Sequence, residues 1–264
     1  MLEIFIYDDM QKKKSIIFAV LALATLSSCK QQYQLTDVQR TRVLINNRYD
    51  SSPDAEAVAF IKPYQSKVDS MMKPVVGTID HFMAAHKPES DLSDLLADIL
   101  VWGADAFQEK PDFGVYNMGG IRAAFAKGKV TYGDVLNVAP FENHICFLTL
   151  TGEKTLQLFR EMASVGGEGV SHGVKLVITK NGKLISATIG GKEIDPTKNY
   201  RVVTLDYLAQ GNDKLEAFKS KTNVVSPQGK NYSTRQIIVN YFKSKAAKGE
   251  SVNAQMEGRI SYEK

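Results

Sequence analysis

The sequence predicts an α+β (mixed α/β) fold. Stretches with helical apolar spacing and stretches rich in β-branched residues follow one another along the 264 residues. Asn181-Gly182, a two-residue hairpin signal, lies between two strand-like runs in mid-chain. The elements do not alternate strand with crossover helix, which argues against a doubly wound parallel sheet.

The first residues read as an export signal. Lys12-Lys13-Lys14 is basic, and residues 16–26 are apolar but too few to span a bilayer. Leu26-Ser27-Ser28-Cys29 follows and resembles the lipobox of bacterial lipoproteins. The expected organisation is a signal over residues 1–28, lipidation on Cys29, a polar tether over 29–50 and one domain over 51–264. That predicts a cell-envelope protein held to a membrane by lipid. The net charge of +4 is too mild for nucleic acid, and the longest basic run leaves with the signal. Of two cysteines only Cys146 would remain in the domain. It lies in an apolar stretch and reads as a buried, inert thiol.

Ser51-Ser52-Pro53-Asp54 predicts a helix start, with Ser52 as N-cap and Pro53 at the first helical position. Val58, Ile61, Val68 and Met71 continue it as a stripe, with a kink expected at Pro63. A strand is expected over 75–79. Glu89-Ser90-Asp91 opens a stronger helix, whose inner face is Leu92, Leu95, Leu96, Ile99 and Leu100. Residues 112–116 read as a buried strand. Asn117-Met118-Gly119-Gly120-Ile121-Arg122 follows, where paired glycines allow φ > 0 and Arg122 offers a fork of donors. By itself this motif reads equally as a tight turn with a solvated Arg, and residues 122–127 read as polar surface. A short helix is expected over 132–137 and a strand over 145–150. Thr151-Gly152-Glu153 caps the next helix, and residues 166–169 read as a flexible glycine loop. Strands over 174–179 and 184–189 flank the hairpin signal. A strand over 200–205, an amphipathic helix over 234–245 and a last strand over 257–262 complete the chain.

Three loops share a character: residues 117–122, Pro140-Phe141-Glu142-Asn143, and residues 206–213. Each adjoins a strand, so each can reach a sheet rim. An aromatic pair with Asn and Asp nearby can hold a planar base and bond a sugar.

With these residues in view, residues 75–262 resemble the C-terminal, substrate-binding domain of the 5'-nucleotidase family. The marks are Glu89-Ser90, residues 117–122, Ala139-Pro140-Phe141, Leu150-Thr151-Gly152, residues 207–213 and Glu257-Gly258-Arg259-Ile260. The resemblance implies a mixed sheet flanked by helices. It makes Phe141 and Tyr207 the aromatics that sandwich a nucleobase. Asp213 becomes the acceptor for ribose hydroxyls, and Asn143 a base contact. Asn117 and Arg122 become ligands near ribose and phosphate. Gly173 lets backbone approach the base. Three positions depart from the pattern. His86 stands where an Arg is usual, Asn212 where a Gly is usual, and Tyr207 where Phe is common.

Full-length members resemble two-domain hydrolases with two metals on an N-terminal domain. No such Asp, His and Asn ligand motif occurs here, and the four histidines lack metal spacing. The expectation is therefore no catalytic residue, metal or cofactor in this chain, with divalent metals on a partner. The favoured reading is the nucleoside- or nucleotide-binding half of a split 5'-nucleotidase, working with a separate metallophosphatase chain. The alternative is a stand-alone surface lipoprotein that captures nucleosides or another small ligand without hydrolysis.

Overall fold

A computed structural model describes residues 33–263. The expected signal, Cys29 and the first tether residues lie outside the described residues. The chain divides after Asp54 into two units. In the first, residues 33–46 carry no helix or strand and are exposed. A 3₁₀ turn follows at Asn47–Tyr49, where the Asn46 side chain accepts from the Arg48 N–H at 3.1 Å.

The second unit opens with α1 (Ala55–Met72), which starts two residues after Pro53 and runs unbroken through Pro63. The expected apolar stripe exists but faces outward, for α1 buries no residue. The next elements are β1 (Val75–Ile79), α2 (Asp91–Gly103), β2 (Phe113–Tyr116), β3 (Gly128–Thr131), α3 (Tyr132–Val138), β4 (Ile145–Thr151) and α4 (Gly152–Ser164). Then come β5 (Gly169–Val170), β6 (Val174–Ile178), β7 (Leu184–Ile189), β8 (Lys192–Glu193), β9 (Asn199–Leu205), α5 (Asp206–Ala209), β10 (Thr222–Val225), α6 (Thr234–Ala247) and β11 (Ile260–Tyr262).

The main sheet has the order β10-β4-β9-β2-β5. β9 pairs antiparallel with β4, from Ile145↔Leu205 to Thr151↔Asn199, and parallel with β2 at Phe113↔Val202. A second sheet, β11-β6-β7-β8, combines one parallel and two antiparallel pairings, and β1 pairs with β3. The architecture is the mixed α+β one that the sequence predicts. β4 is buried along six of its seven residues because both faces are covered, so it reads as a continuous apolar run. α2 packs on β2 and α4 on β4, while α6 lies against α2 and β1. The Phe113 ring of β2 lies tilted against Phe159 of α4, and Phe125 against Phe242 of α6, both with ring centroids 5.3 Å apart. Cys146 is buried there, and burial pushes its thiol up.

Several local expectations need correction. Residues 166–169 are not a free loop, because Glu168 is buried and Gly169–Val170 pairs with β2. The turn at Asn181-Gly182 is one residue longer than a two-residue hairpin. The Thr179 N–H donates to the Lys183 carbonyl at 2.8 Å, and Gly182 takes φ 77°, a conformation that favours glycine. Phe125 is core rather than polar surface. The last strand begins at Ile260.

The Glu89 motif and the C-terminal motif lock onto each other. The Glu89 carboxylate accepts the N–H groups of Glu257 and Ile260 at 2.9 and 3.1 Å. Arg259, almost fully buried, forks onto Asp98 at 2.9 and 2.8 Å and donates to the Val170 carbonyl at 2.8 Å. Its Nε lies 3.3 Å from Asp94. These two marks therefore close the fold rather than build a site.

Candidate functional site: a cleft at one sheet rim

The pairing order explains why three distant loops meet. β2 and β9 are parallel neighbours, so their ends at Tyr116 and Leu205 lie on the same rim. β4 runs antiparallel to β9, so its start at Ile145 lies there too. The loops that leave β2, leave β9 and enter β4 are the three singled out in the sequence. Together they enclose a cleft of about 200 Å³ lined by Asn117, Gly119, Gly120, Phe141, Asn143, Tyr207 and Asp213.

Its two aromatic rings are left open, Phe141 at 49% exposure and Tyr207 at 38%. Asp213 links the polar side. Its Oδ2 accepts from Asn117 Nδ2 at 2.6 Å and its Oδ1 from the Tyr207 hydroxyl at 2.8 Å. That hydrogen bond raises the Tyr207 phenol above its ordinary value. Asp213 takes φ 55°, a left-handed conformation that Asp tolerates better than most residues. Asn212 donates to the Tyr207 carbonyl at 2.8 Å and so closes this loop on itself. Asn117 is only 4% exposed, and its Oδ1 has no hydrogen-bond partner among the described residues.

The paired glycines act otherwise than expected. Neither Gly119 nor Gly120 has positive φ; both sit in a 3₁₀ turn, Met118–Gly120. At Gly120 smallness matters instead, since a Cβ there would stand 2.7 Å from Asn117 Oδ1. Arg122 is exposed outside the lining and donates to the Gly119 carbonyl at 3.2 Å. Gly173, with φ 87°, lies elsewhere, in a wide polar hollow with His172, Gly190 and Tyr200. His86 is exposed and does not line the cleft. Among the described residues, no group of three or more His, Cys, Asp or Glu side chains is placed to hold a metal ion.

Three residues bonded to the cleft loops have partners that the sequence does not reveal. Glu168, 4% exposed, accepts the Met118 N–H at 2.5 Å with Lys87 3.5 Å away, and burial raises its carboxyl. Asp206 accepts the N–H groups of His144 and Tyr207 at 3.1 and 2.8 Å, which ties two of the three loops together. Arg235, in the first turn of α6, donates to the carbonyls of Ala139, Pro140 and Phe141 at 3.0, 2.6 and 3.2 Å. Asp206 carried a signal, an acid at a strand-to-helix junction. Glu168 and Arg235 carried none, since their partners lie far away in sequence.

Fold and cleft define an α+β domain with an open, partly aromatic cleft at one sheet rim. The chain belongs to the 5'-nucleotidase C-terminal domain family, which it matches over residues 75–220. It is 25% identical over 189 residues to "Silent protein UshA(0)" of Salmonella typhimurium, a match covering 70% of this chain and 34% of that protein. It is 27% identical over 181 residues to a 5'-nucleotidase of Vibrio vulnificus, with 67% and 32% covered. Its fold superposes on a 5'-nucleotidase precursor from Thermus thermophilus with a TM-score of 0.68 at 22% identity, covering 81% of this chain and 44% of that one. The chain spans about a third of the length of the curated relatives it matches.

Proposed function

We propose that this chain is the nucleoside- or nucleotide-binding specificity half of a split 5'-nucleotidase. A separate metallophosphatase chain would bring the metals and the activated water. The observation that carries this reading is the convergence of two open aromatic rings with an amide and a carboxylate at one sheet rim. Phe141 and Tyr207 stack on the base, a contact worth roughly 1–3 kcal/mol per ring. Asp213 and the unpaired Oδ1 of Asn117 are acceptors, which suits a sugar that brings hydroxyl donors. Asn143 faces the base edge. Arg122 sits at the margin, where it meets a phosphate only by leaving the Gly119 carbonyl. This chain's contribution to hydrolysis is then orientation, which lowers a barrier by holding reactants in place.

The export signal and lipobox support attachment to a membrane of the cell envelope through Cys29. Cys29→Ala should leave an unprocessed precursor; normal maturation and membrane fractionation of that variant would contradict the anchor.

The direct test is hydrolysis of nucleoside monophosphates by the purified chain, alone and mixed with metallophosphatases from the same genome. Added divalent metal should give turnover only in one of the mixtures. Turnover by this chain alone would overturn the division of labour. Nucleoside binding with no active mixture would favour the stand-alone binding lipoprotein.

A further inference from the structure

We propose that Arg235 is the positioning residue for the Phe141 side of the cleft, a role that rests on the base-clamp reading above. Phe141 is the more exposed of the two rings and sits on a loop, so its placement depends on what fixes that loop's backbone. Ala139 ends α3, and the chain then turns through Pro140 to Phe141. The carbonyls of these three successive residues all point to one guanidinium. Nε of Arg235 takes Ala139, and Nη2 takes Pro140 and Phe141. The residue before it completes the grip, since the Thr234 N–H donates to the Asn143 carbonyl at 2.9 Å. The first turn of α6 thus holds both ends of the loop that carries Phe141 and Asn143.

The side chain is suited to the task. A guanidinium is planar and presents donors in a rigid fork, whereas an ammonium is a single point with rotatable donors. It also places a positive charge at the C-terminal end of α3, the negative end of the helix dipole. The base of α6 is firm, with Ser233 as N-cap accepting from Gln236 and with Ile237 and Ile238 buried in the core. Arg235 therefore transmits the position of the core helix to the loop that carries the exposed Phe141 ring.

The test is a double-mutant cycle between Phe141 and Arg235, read by calorimetry with adenosine. Arg235→Ala should weaken adenosine binding by about tenfold, nearly as much as Phe141→Ala, since both remove the same stacking contact. In the Phe141→Ala background the second substitution should add little, because the two act through one ring. Arg235→Lys keeps the charge and should restore melting temperature without restoring affinity. Backbone order parameters over residues 140–143 should fall in Arg235→Ala and Arg235→Lys alike. Full adenosine affinity in either Arg235 variant, with Phe141→Ala impaired, would overturn the role of Arg235 and leave the clamp standing. A folded parent that binds no nucleoside, or an unimpaired Phe141→Ala, would overturn the clamp reading and this role with it. If Arg235→Ala does not fold, Arg235→Lys decides the question.

Discussion

The hydroxyl of Tyr207 donates to Asp213 Oδ1 at 2.8 Å, so a ring of the cleft and its carboxylate form one unit. A Phe at this position would have no such hydroxyl. Tyr207→Phe keeps the stacking face and frees one carboxylate lone pair. Adenine should then bind as it does to the parent, while adenosine affinity changes. Tyr207→Ala should weaken both by about tenfold, through loss of a stack. Equal behaviour of the Phe and Ala variants toward adenine would refute a stacking role.

Asp213→Asn should preserve the fold, since Asn also tolerates the left-handed backbone at φ 55°. It removes the charge that strengthens hydrogen bonds from sugar hydroxyls. Adenosine binding should fall by about tenfold while adenine binding holds, a difference near 1.4 kcal/mol. Comparative calorimetry checks it, and equal losses for both ligands would remove Asp213 from the sugar side.

Much of this arrangement was legible in the sequence, and the reason is local. Helix and strand periodicities, the Ser90 and Thr151 caps and the buried run of β4 are encoded by near neighbours. The three rim loops were legible because motif order and spacing specify them together. What was not legible depends on long-range pairing. Glu168 looks like a loop acid until β5 joins β2 and buries it under Met118. Arg235 looks like a surface residue of α6 until α3 ends against it. The outward stripe of α1 looks like a core face because periodicity records amphipathicity but not the partner. Gly173 has φ 87°, a backbone need that glycine meets, and it lies in a different hollow, which a local pattern does not record.

Arg259→Met should be strongly destabilising. The buried guanidinium is the donor for the Val170 carbonyl and for Asp98 and lies against the buried Asp94 carboxyl, and Met leaves these groups without it. The expected loss is about 2–4 kcal/mol in denaturant unfolding, at about 1–3 kcal/mol for each buried group left unpaired. A loss below about 1 kcal/mol would mean that water replaces the guanidinium at little cost.

Asp94 gives the fold a dependence on pH. Burial pushes its carboxyl up to about 9, and the neighbouring Glu89 and Asp98 carboxylates add to this, against the opposing charge of Arg259. The unfolded chain ionises Asp94 near pH 4, as ordinary aspartates do. Stability owed to the protonated form is therefore fully present below that value and is lost as pH rises toward about 9. Asp94→Asn mimics the protonated form at every pH. Its stability relative to the parent should grow between pH 4 and pH 9 and then level off, as read by thermal unfolding. A constant difference across that range would show that Asp94 titrates normally.

The central claim is that the rim cleft binds a nucleoside between its aromatic rings. Calorimetric titration of adenosine into the folded parent and into Phe141→Ala tests it most directly. Saturable one-to-one binding by the parent, weakened by about tenfold in the variant, is expected. A folded parent that releases no binding heat at any temperature tried, or a variant that binds as tightly as the parent, would contradict it.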